Sequence, residues 1–329
     1  MPRPAAGLMP HQVDGQMKIL SLCSGYGGLD MAVEQHFSAK TAYWSDIDKT
    51  ACDVMAARFP DAQPIGDLTT LDLTMLHADV VTAGYPCQPF STAGNRLGDN
   101  DERHLWPYIR NTVGVLRPRY VVLENVAGHL SLGAAAVVGD LASLGYDAKW
   151  TVIRASDVQA PHQRKRWFCV ATNTDGAGSS QTRQEIRAHL TPHAPIRSVP
   201  TDPESAEWRS PKHEHLETTA GPATKPRERL GVAANANSEG LEGSEPTERH
   251  DLFAWGGYEP VVRRWERVLG RPAPLPVVDN RLSAVFVEWM MGLEEGHVTD
   301  IAASRAKALA CLGNGVVPQQ AKRALELLT

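Results

Sequence analysis

Asp79-Val80-Val81-Thr82-Ala83-Gly84-Tyr85-Pro86-Cys87-Gln88-Pro89-Phe90-Ser91 decides how this chain is read. A short apolar run ends in Gly-aromatic-Pro and delivers a single cysteine directly after it. That layout predicts a buried strand followed by a tight loop at its carboxyl end. In an open α/β sheet this is the edge at which ligands bind. Most free cysteines are buried and inert. Here the prolines at 86 and 89 stiffen a loop that keeps the thiol of Cys87 accessible. An ordinary thiol is only slightly ionised near neutrality, so a nucleophilic Cys87 needs positive potential or a proton acceptor beside it.

The flanks repeat the same grammar. Upstream, Lys18 to Cys23 reads as a strand, followed by Ser24-Gly25-Tyr26-Gly27-Gly28 and by Leu29, Ala32, Val33 and His36 at helical spacing. Thr41 to Ser45 is a second strand ending in Asp46 and Asp48, and Thr50 to Arg58 is a helix stopped before Pro60. Downstream come a helix over Leu105–Leu116, a strand over Tyr120–Leu123, a helix over Ala134–Leu144, and β segments over Lys149–Ala155 and Arg166–Ala171. This alternation predicts an α/β fold, a mainly parallel sheet with helices on both faces.

The pattern changes at Asn173. To about Thr247 the chain is rich in Gly, Ser, Thr, Pro, Glu and Arg and poor in large apolar residues, which predicts a linker or partly disordered insert over 173–250. Order is expected to return near Leu252. Leu282 to Met291 reads as a helix, and a loop over Leu312–Pro318 leads into a last helix over Gln319–Leu328.

Bulk properties bound the answer. With 329 residues the chain is long enough for one large domain and a smaller one, and 42% hydrophobic and 22% charged residues suit a soluble globular protein. A net charge of −5 does not advertise nucleic-acid binding, although a local basic face would suffice for it. The five cysteines include no Cys-x-x-Cys pair, so neither a metal site nor a disulfide framework is expected, and a reducing cytoplasm fits best. No run of about 18 apolar residues is present, so no membrane partner is expected. Residues 1–16 read as a flexible leader, with Met17 a possible true start.

Three further features suggest chemistry. Asp46 lies 19 residues beyond Gly27 at a strand end, where an acid can accept hydrogen bonds from a ribose diol. The glycine spacing is not G-x-G-x-x-G, which weakens a pyrophosphate reading and leaves a ligand-free turn open. Glu124 ends the strand after that of Cys87, so both reach one cleft, where a nucleophile and a carboxyl could attack and protonate one ring. Read alone, Glu124 could equally be a helix cap. Arg164 and Arg166 stand two apart where a β segment begins, which would place both on one face for an anion or a base carbonyl. The bland alternative is a solvated strand edge.

Taken in order, these pieces resemble the DNA cytosine-5 methyltransferases. Leu22-Cys23-Ser24-Gly25-Tyr26-Gly27-Gly28 resembles the first methyl-donor motif, and Gly84-Tyr85-Pro86-Cys87-Gln88-Pro89-Phe90-Ser91 the nucleophile loop. Glu124-Asn125-Val126 resembles the carboxylate motif, and Gln163-Arg164-Lys165-Arg166 the paired-arginine motif. Arg281-Leu282-Ser283 with Glu288 resembles the late structural helix, and Gly313-Asn314-Gly315-Val316-Val317-Pro318 the final motif.

The resemblance implies a Rossmann-like sheet that binds S-adenosyl-L-methionine, with a catalytic domain over 17–172 and 282–329 and a smaller, irregular target-recognition region over 173–281. It implies catalytic roles for Cys87, Glu124, Arg164 and Arg166. It implies a cofactor site at Ser24, Gly25, Tyr26, Gly27, Gly28, Asp46, Ile47, Asp67, Leu68, Pro86, Leu105, Asn314 and Val316. The expected partner is duplex DNA from which one cytosine is flipped, with a cognate restriction endonuclease if the enzyme is not an orphan, and the expected state is a monomer. A tRNA substrate, or a catalytically silent DNA-binding regulator, stays open as an alternative. Three positions depart from the family pattern. Cys23 stands where a Phe is usual, His162 stands where a Gln is common, and no Thr between 172 and 281 is followed by Leu, Ile or Val.

Overall fold

The structure, a computed structural model, describes residues 16–86, 105–174 and 255–329. They belong to one unit of the chain, Met1–Leu190 with Thr247–Thr329. Residues 1–15 of the expected leader and 175–254, which include most of the expected insert, lie outside the described residues, as does Cys87.

Seven strands form one sheet in the order β3-β2-β1-β4-β5-β7-β6. They are β1 Lys18–Leu22, β2 Lys40–Ser45, β3 Gln63–Pro64, β4 Val80–Gly84, β5 Tyr120–Val126, β6 Tyr146–Ile153 and β7 Arg166–Asn173. β1 pairs in parallel with both β2 and β4, and β4 with β5. The chain therefore reverses its direction of winding beside β1, which opens a crevice at the carboxyl ends of β1 and β4. β7 alone runs antiparallel, between β5 and β6. Its first residue, Arg166, pairs with Val126 and so starts at the edge where β5 finishes.

Period-2 alternation assigns the strand side chains to two faces. Leu20, Leu22, Val81, Ala83, Val121, Leu123, Trp167 and Cys169 pack under Trp106, Ile109 and Val113 of α3 (Trp106–Leu116) and Val137 and Leu141 of α5 (Ala134–Ser143). The short α4, His129–Leu132, precedes α5. On the other face Ile19, Val80, Val122, Phe168 and Val170 meet Leu29, Ala32 and Val33 of α1 (Gly28–Phe37) and the apolar side of α9 (Pro318–Leu328). Helix α2 spans Lys49–Arg58, with the Asp48 side chain capping it through the Ala51 amide.

The C-terminal part adds α6 Glu259–Leu269, α7 Ala284–Met290 and α8 Arg305–Asn314, with a two-residue hairpin pair, β8 Val277–Val278 and β9 Arg281–Leu282. Trp265 and Trp289 are fully buried here, and the Trp265 indole donates to the Trp289 carbonyl at 2.9 Å. Glu288 is buried and accepts from the amides of Gly296, Val298 and Thr299 and from the Thr299 hydroxyl, which fixes the loop after α7.

Two expectations are corrected. The segment read as a loop from Leu312 is helical through Asn314, because the Ser304 cap and the buried Ala308, Cys311 and Leu312 sustain α8 to that point. Arg164 is not on a strand. It sits at φ 25 before β7 begins, so strand alternation cannot be what brings Arg164 and Arg166 together.

Candidate active site

The Gly-rich turn leaves β1 through Cys23 at φ 53 and Gly25 at φ 56 and enters α1 at Gly27, whose φ is 81. Glycine suits the last two positions because a side chain in this region is strained. A Cβ on Gly25 would meet no atom within 4 Å, so the turn opens onto free space. That space is an open cleft bounded by the turn and by Gly84, Asn314, Gly315 and Val316. Asp46, just past β2, holds the turn by accepting from the Gly25 amide at 2.8 Å. Its other oxygen accepts from the Asp48 amide, which leaves lone pairs on both oxygens. Next to it Ile47 is 80% exposed, an apolar surface without cover among the described residues. Asp67 is exposed and caps the turn that buries Leu68.

Glu124 lies on β5 as the register partner of Gly84. The carboxyl leans over the bare glycine, since a Cβ on Gly84 would come 3.5 Å from Glu124 Oε2. The side chain is buried, and Arg166 Nε meets Glu124 Oε1 at 2.9 Å. Burial pushes the carboxyl up to about 7, and Arg166 and Arg164 pull against it. A group so placed can hold or give a proton near neutrality. The neighbouring Asn125 is buried, and its amide donates to the Tyr85 carbonyl at 3.0 Å, two residues before Cys87. The Tyr85 hydroxyl meets His129 Nε2 at 3.0 Å, so the exit of β4 is tied down twice.

Arg164 serves another wall. Its Nη2 donates to the carbonyls of Gly313 and Gly315 at 2.9 and 2.5 Å, and its own carbonyl accepts from the buried Gln320 amide. Tyr26, expected among the cofactor residues, is fully buried, and its hydroxyl donates to the Val316 carbonyl at 2.6 Å. Its side chain therefore fastens the Gly-rich turn to the final motif, and its carbonyl accepts from His297 Nε2 at 2.9 Å, so Tyr26 supports the turn from behind and does not line the cleft. Gly315 is required by this contact, because a Cβ there would overlap the Tyr26 ring.

The expected site residues thus gather at one sheet edge. Ser24, Gly25, Gly28, Asn314 and Val316 line the cleft, Asp46 grips the turn, and Glu124 and Arg166 stand beside Gly84. Pro86 and Leu105 border the undescribed stretch that contains Cys87. His162 donates through Nε2 to the Met290 carbonyl at 3.0 Å, a job its amide counterpart could also do. Cys23 is half-buried at the cleft, and burial, with Asp46 and Asp67, pushes its thiol up to about 12, so it presents a neutral wall. Sequence reading missed Ser21, Asp30 and Thr82, which also line the cleft. An acid in the first turn of a helix reads as a solvated partner of the helix dipole. Only the strand register shows that Asp30 points inward.

Residues 17–253 match the family described as C-5 cytosine-specific DNA methylase. The chain belongs to this family. Among curated relatives, the Type II methyltransferase M.NlaIV of Neisseria lactamica is 28% identical over 202 residues, covering 56% of this chain and 46% of that one. Type II methyltransferase M.DsaV of Dactylococcopsis salina is 32% identical over 161 residues, 47% of this chain and 45% of that one. The match spans about half the length of these relatives. The solved structure of S. pombe Dnmt2 methyltransferase covers 95% of this chain and 98% of its own with a TM-score of 0.53 at 16% identity, a likeness of fold. The α/β, Rossmann-like architecture is thus that of the C-5 methylases. Among the described residues no helix is long and apolar enough to cross a membrane.

Proposed function

We propose that this C-5 methylase transfers a methyl group from S-adenosyl-L-methionine to C5 of a cytosine flipped out of duplex DNA. One observation carries the reading. A buried, arginine-held Glu124 is in register with Gly84, at the point where β4 leads into the sequence of Cys87. Three residues of chain reach at most about 11 Å, so the cysteine loop starts within range of that carboxyl.

The residues fit the donor. The turn opens a cradle at Gly25, Asp46 retains acceptor capacity for a ribose diol, and Ile47 offers an apolar face to a purine. When bound, the donor supplies an electrophilic methyl on a sulfonium sulfur. The rest of the chemistry belongs to the chain. The Cys87 thiolate bonds to C6 while Glu124 gives a proton to N3, so the ring's displaced electron pair is accepted and C5 becomes an enamine carbon. Arg166 orients Glu124 and faces the base carbonyl. A base then takes the C5 proton, the freed electron pair re-forms the C5–C6 double bond and expels Cys87 as thiolate, and the N3 proton returns to Glu124. Arg164 acts on the cofactor wall. Residues 173–281 supply target recognition, and the protein works as a monomer, either as an orphan or as the protective half of a restriction–modification pair.

The test is a duplex carrying 5-fluorocytosine, in which the C5 substituent cannot leave as a proton. Incubation with the donor should give a denaturation-resistant adduct that Cys87→Ser abolishes. A wild-type protein that binds donor and DNA yet yields no adduct on a varied set of duplexes would refute the reading.

A further inference from the structure

Beneath the Gly-rich turn lies a carboxyl that the mechanism does not use. Asp30, in the first turn of α1, is 1% exposed and lines the floor of the donor cleft. Thr82 of β4 donates to Oδ1 at 2.5 Å, and Ser21 of β1 to Oδ2 at 2.7 Å. Ser21 Oγ is also 2.8 Å from Ser24 Oγ, in the turn itself. Both donors sit on the strand face that meets α1, the face of Ile19, Val80 and Val122.

The charges around this cluster do not balance. Among the described residues no cation pairs with Asp30, and the one charge that reaches it is Glu34, a turn further along α1, which repels. β1 and β4 bring hydroxyls and apolar groups, and α9 turns Ala321, Ala324 and Leu325 inward. The site's own cations are engaged elsewhere, Arg164 at Gly313 and Gly315 and Arg166 at Glu124. Burial accordingly pushes Asp30 up to about 7. A buried carboxylate without a counter-ion is costly, and a cation arriving in the adjoining cleft relieves that cost.

We infer that Asp30 is the electrostatic partner of the donor's positive charge, ionising as a sulfonium or ammonium ligand enters the cleft and favouring charged donor over neutral-sulfur product. This rests on the proposed use of S-adenosyl-L-methionine. It adds a selection step. The product, S-adenosyl-L-homocysteine, lacks the sulfonium charge and so gains less from Asp30. The proton lost by Asp30 leaves to solvent, and none is exchanged with the donor.

The test is calorimetric binding of donor and product to the full chain without DNA, from about pH 6 to about pH 8. Donor affinity should rise roughly 3- to 10-fold across this window as Asp30 ionises, whereas product affinity changes much less. Asp30→Asn should flatten the donor curve and bring the two affinities closer. Thr82→Val removes one hydroxyl from the carboxylate and should move the midpoint to higher pH, an arm that survives if Asp30→Asn folds poorly. Equal pH dependence for donor and product, or an Asp30→Asn protein with the wild-type ratio and curve, overturns the inference and leaves donor binding intact. A wild-type protein that binds neither ligand overturns the proposed function along with it.

Discussion

Arg166 Nε lies 2.9 Å from Glu124 Oε1, yet burial holds that carboxyl well above the usual carboxylate range, at about 7. The arginine lowers Glu124 without winning against desolvation, so a proton is available where the ring nitrogen needs one. kcat/KM for methyl transfer, which reports the free enzyme, should therefore fall on the alkaline side with a midpoint near the Glu124 value. Glu124→Gln should remove that limb and lower the rate by about 10²- to 10⁴-fold while leaving donor affinity within about twofold. Arg166→Gln removes the group that pulls the carboxyl down, so the alkaline limb should move to higher pH in whatever activity remains. A limb unmoved in both variants would dissociate Glu124 from the proton transfer.

Asn125 gives a second, independent handle. Its side chain is buried, donates to the Tyr85 carbonyl and accepts from the Val126 amide. It touches no part of the donor cleft but fixes the strand exit that leads to Cys87. Asn125→Asp would set an acceptor against a carbonyl, and Asn125→Ala would remove both hydrogen bonds that the Asn125 side chain makes, a loss of about 1–3 kcal/mol. The expected signature is a lowered kcat with donor Kd unchanged, read by single-turnover transfer alongside calorimetry.

The Tyr26–Gly315 contact tests how the two halves of the cofactor site are joined. A Cβ at 315 would overlap the Tyr26 ring, and the Tyr26 hydroxyl donates to Val316 one residue on. Gly315→Ala should cost about 1–3 kcal/mol in stability by overpacking and weaken donor binding. Tyr26→Phe keeps the ring and loses only a hydrogen bond, about 0.5–1.5 kcal/mol. Tyr26→Leu combined with Gly315→Ala frees space, so the double variant should be less unstable than the sum of the singles. Additivity in a denaturation cycle would show that the contact does not carry the coupling.

The parallel sheet and its ligand edge were legible because alternating strands, helices and Gly/Pro punctuation are local signals, and β4 and β5 followed from them directly. The antiparallel β7 was not, since nothing local distinguishes its direction from that of β5. Glu124 was readable as a strand-end acid. Its burial against Gly84 depends on register, a relation between residues 40 apart. The pairing of Arg164 with Arg166 was legible as a motif but misread as strand geometry, and the actual tie of Arg164 to Gly313 and Gly315 spans about half the chain. Asp30 was invisible for the same reason: Ser21 and Thr82 are its partners only once β1 and β4 lie side by side.

Asp30 and Glu124 also predict how stability depends on pH. Both are pushed up to about 7 by burial, against ordinary carboxylate values near 4 when unfolded. Between those limits the unfolded chain has released protons that the folded one retains, so each group makes the fold less stable as pH rises from about 4 and adds no further change above about 7. The buried His129 and His297 and the half-buried His162 act in the opposite sense, because desolvation lowers them and the unfolded chain binds their protons first. The clean observable is therefore a difference between proteins. Asp30→Asn should match the wild type in Tm near pH 4, gain on it steadily up to about pH 7, and hold a constant advantage beyond. Glu124→Gln should show the same trend, reduced by the loss of its hydrogen bond with Arg166. Thermal denaturation of the three proteins across this range decides the matter. A Tm difference for Asp30→Asn that stays flat with pH would mean that this carboxyl is ionised throughout and that a counter-charge reaches it in solution.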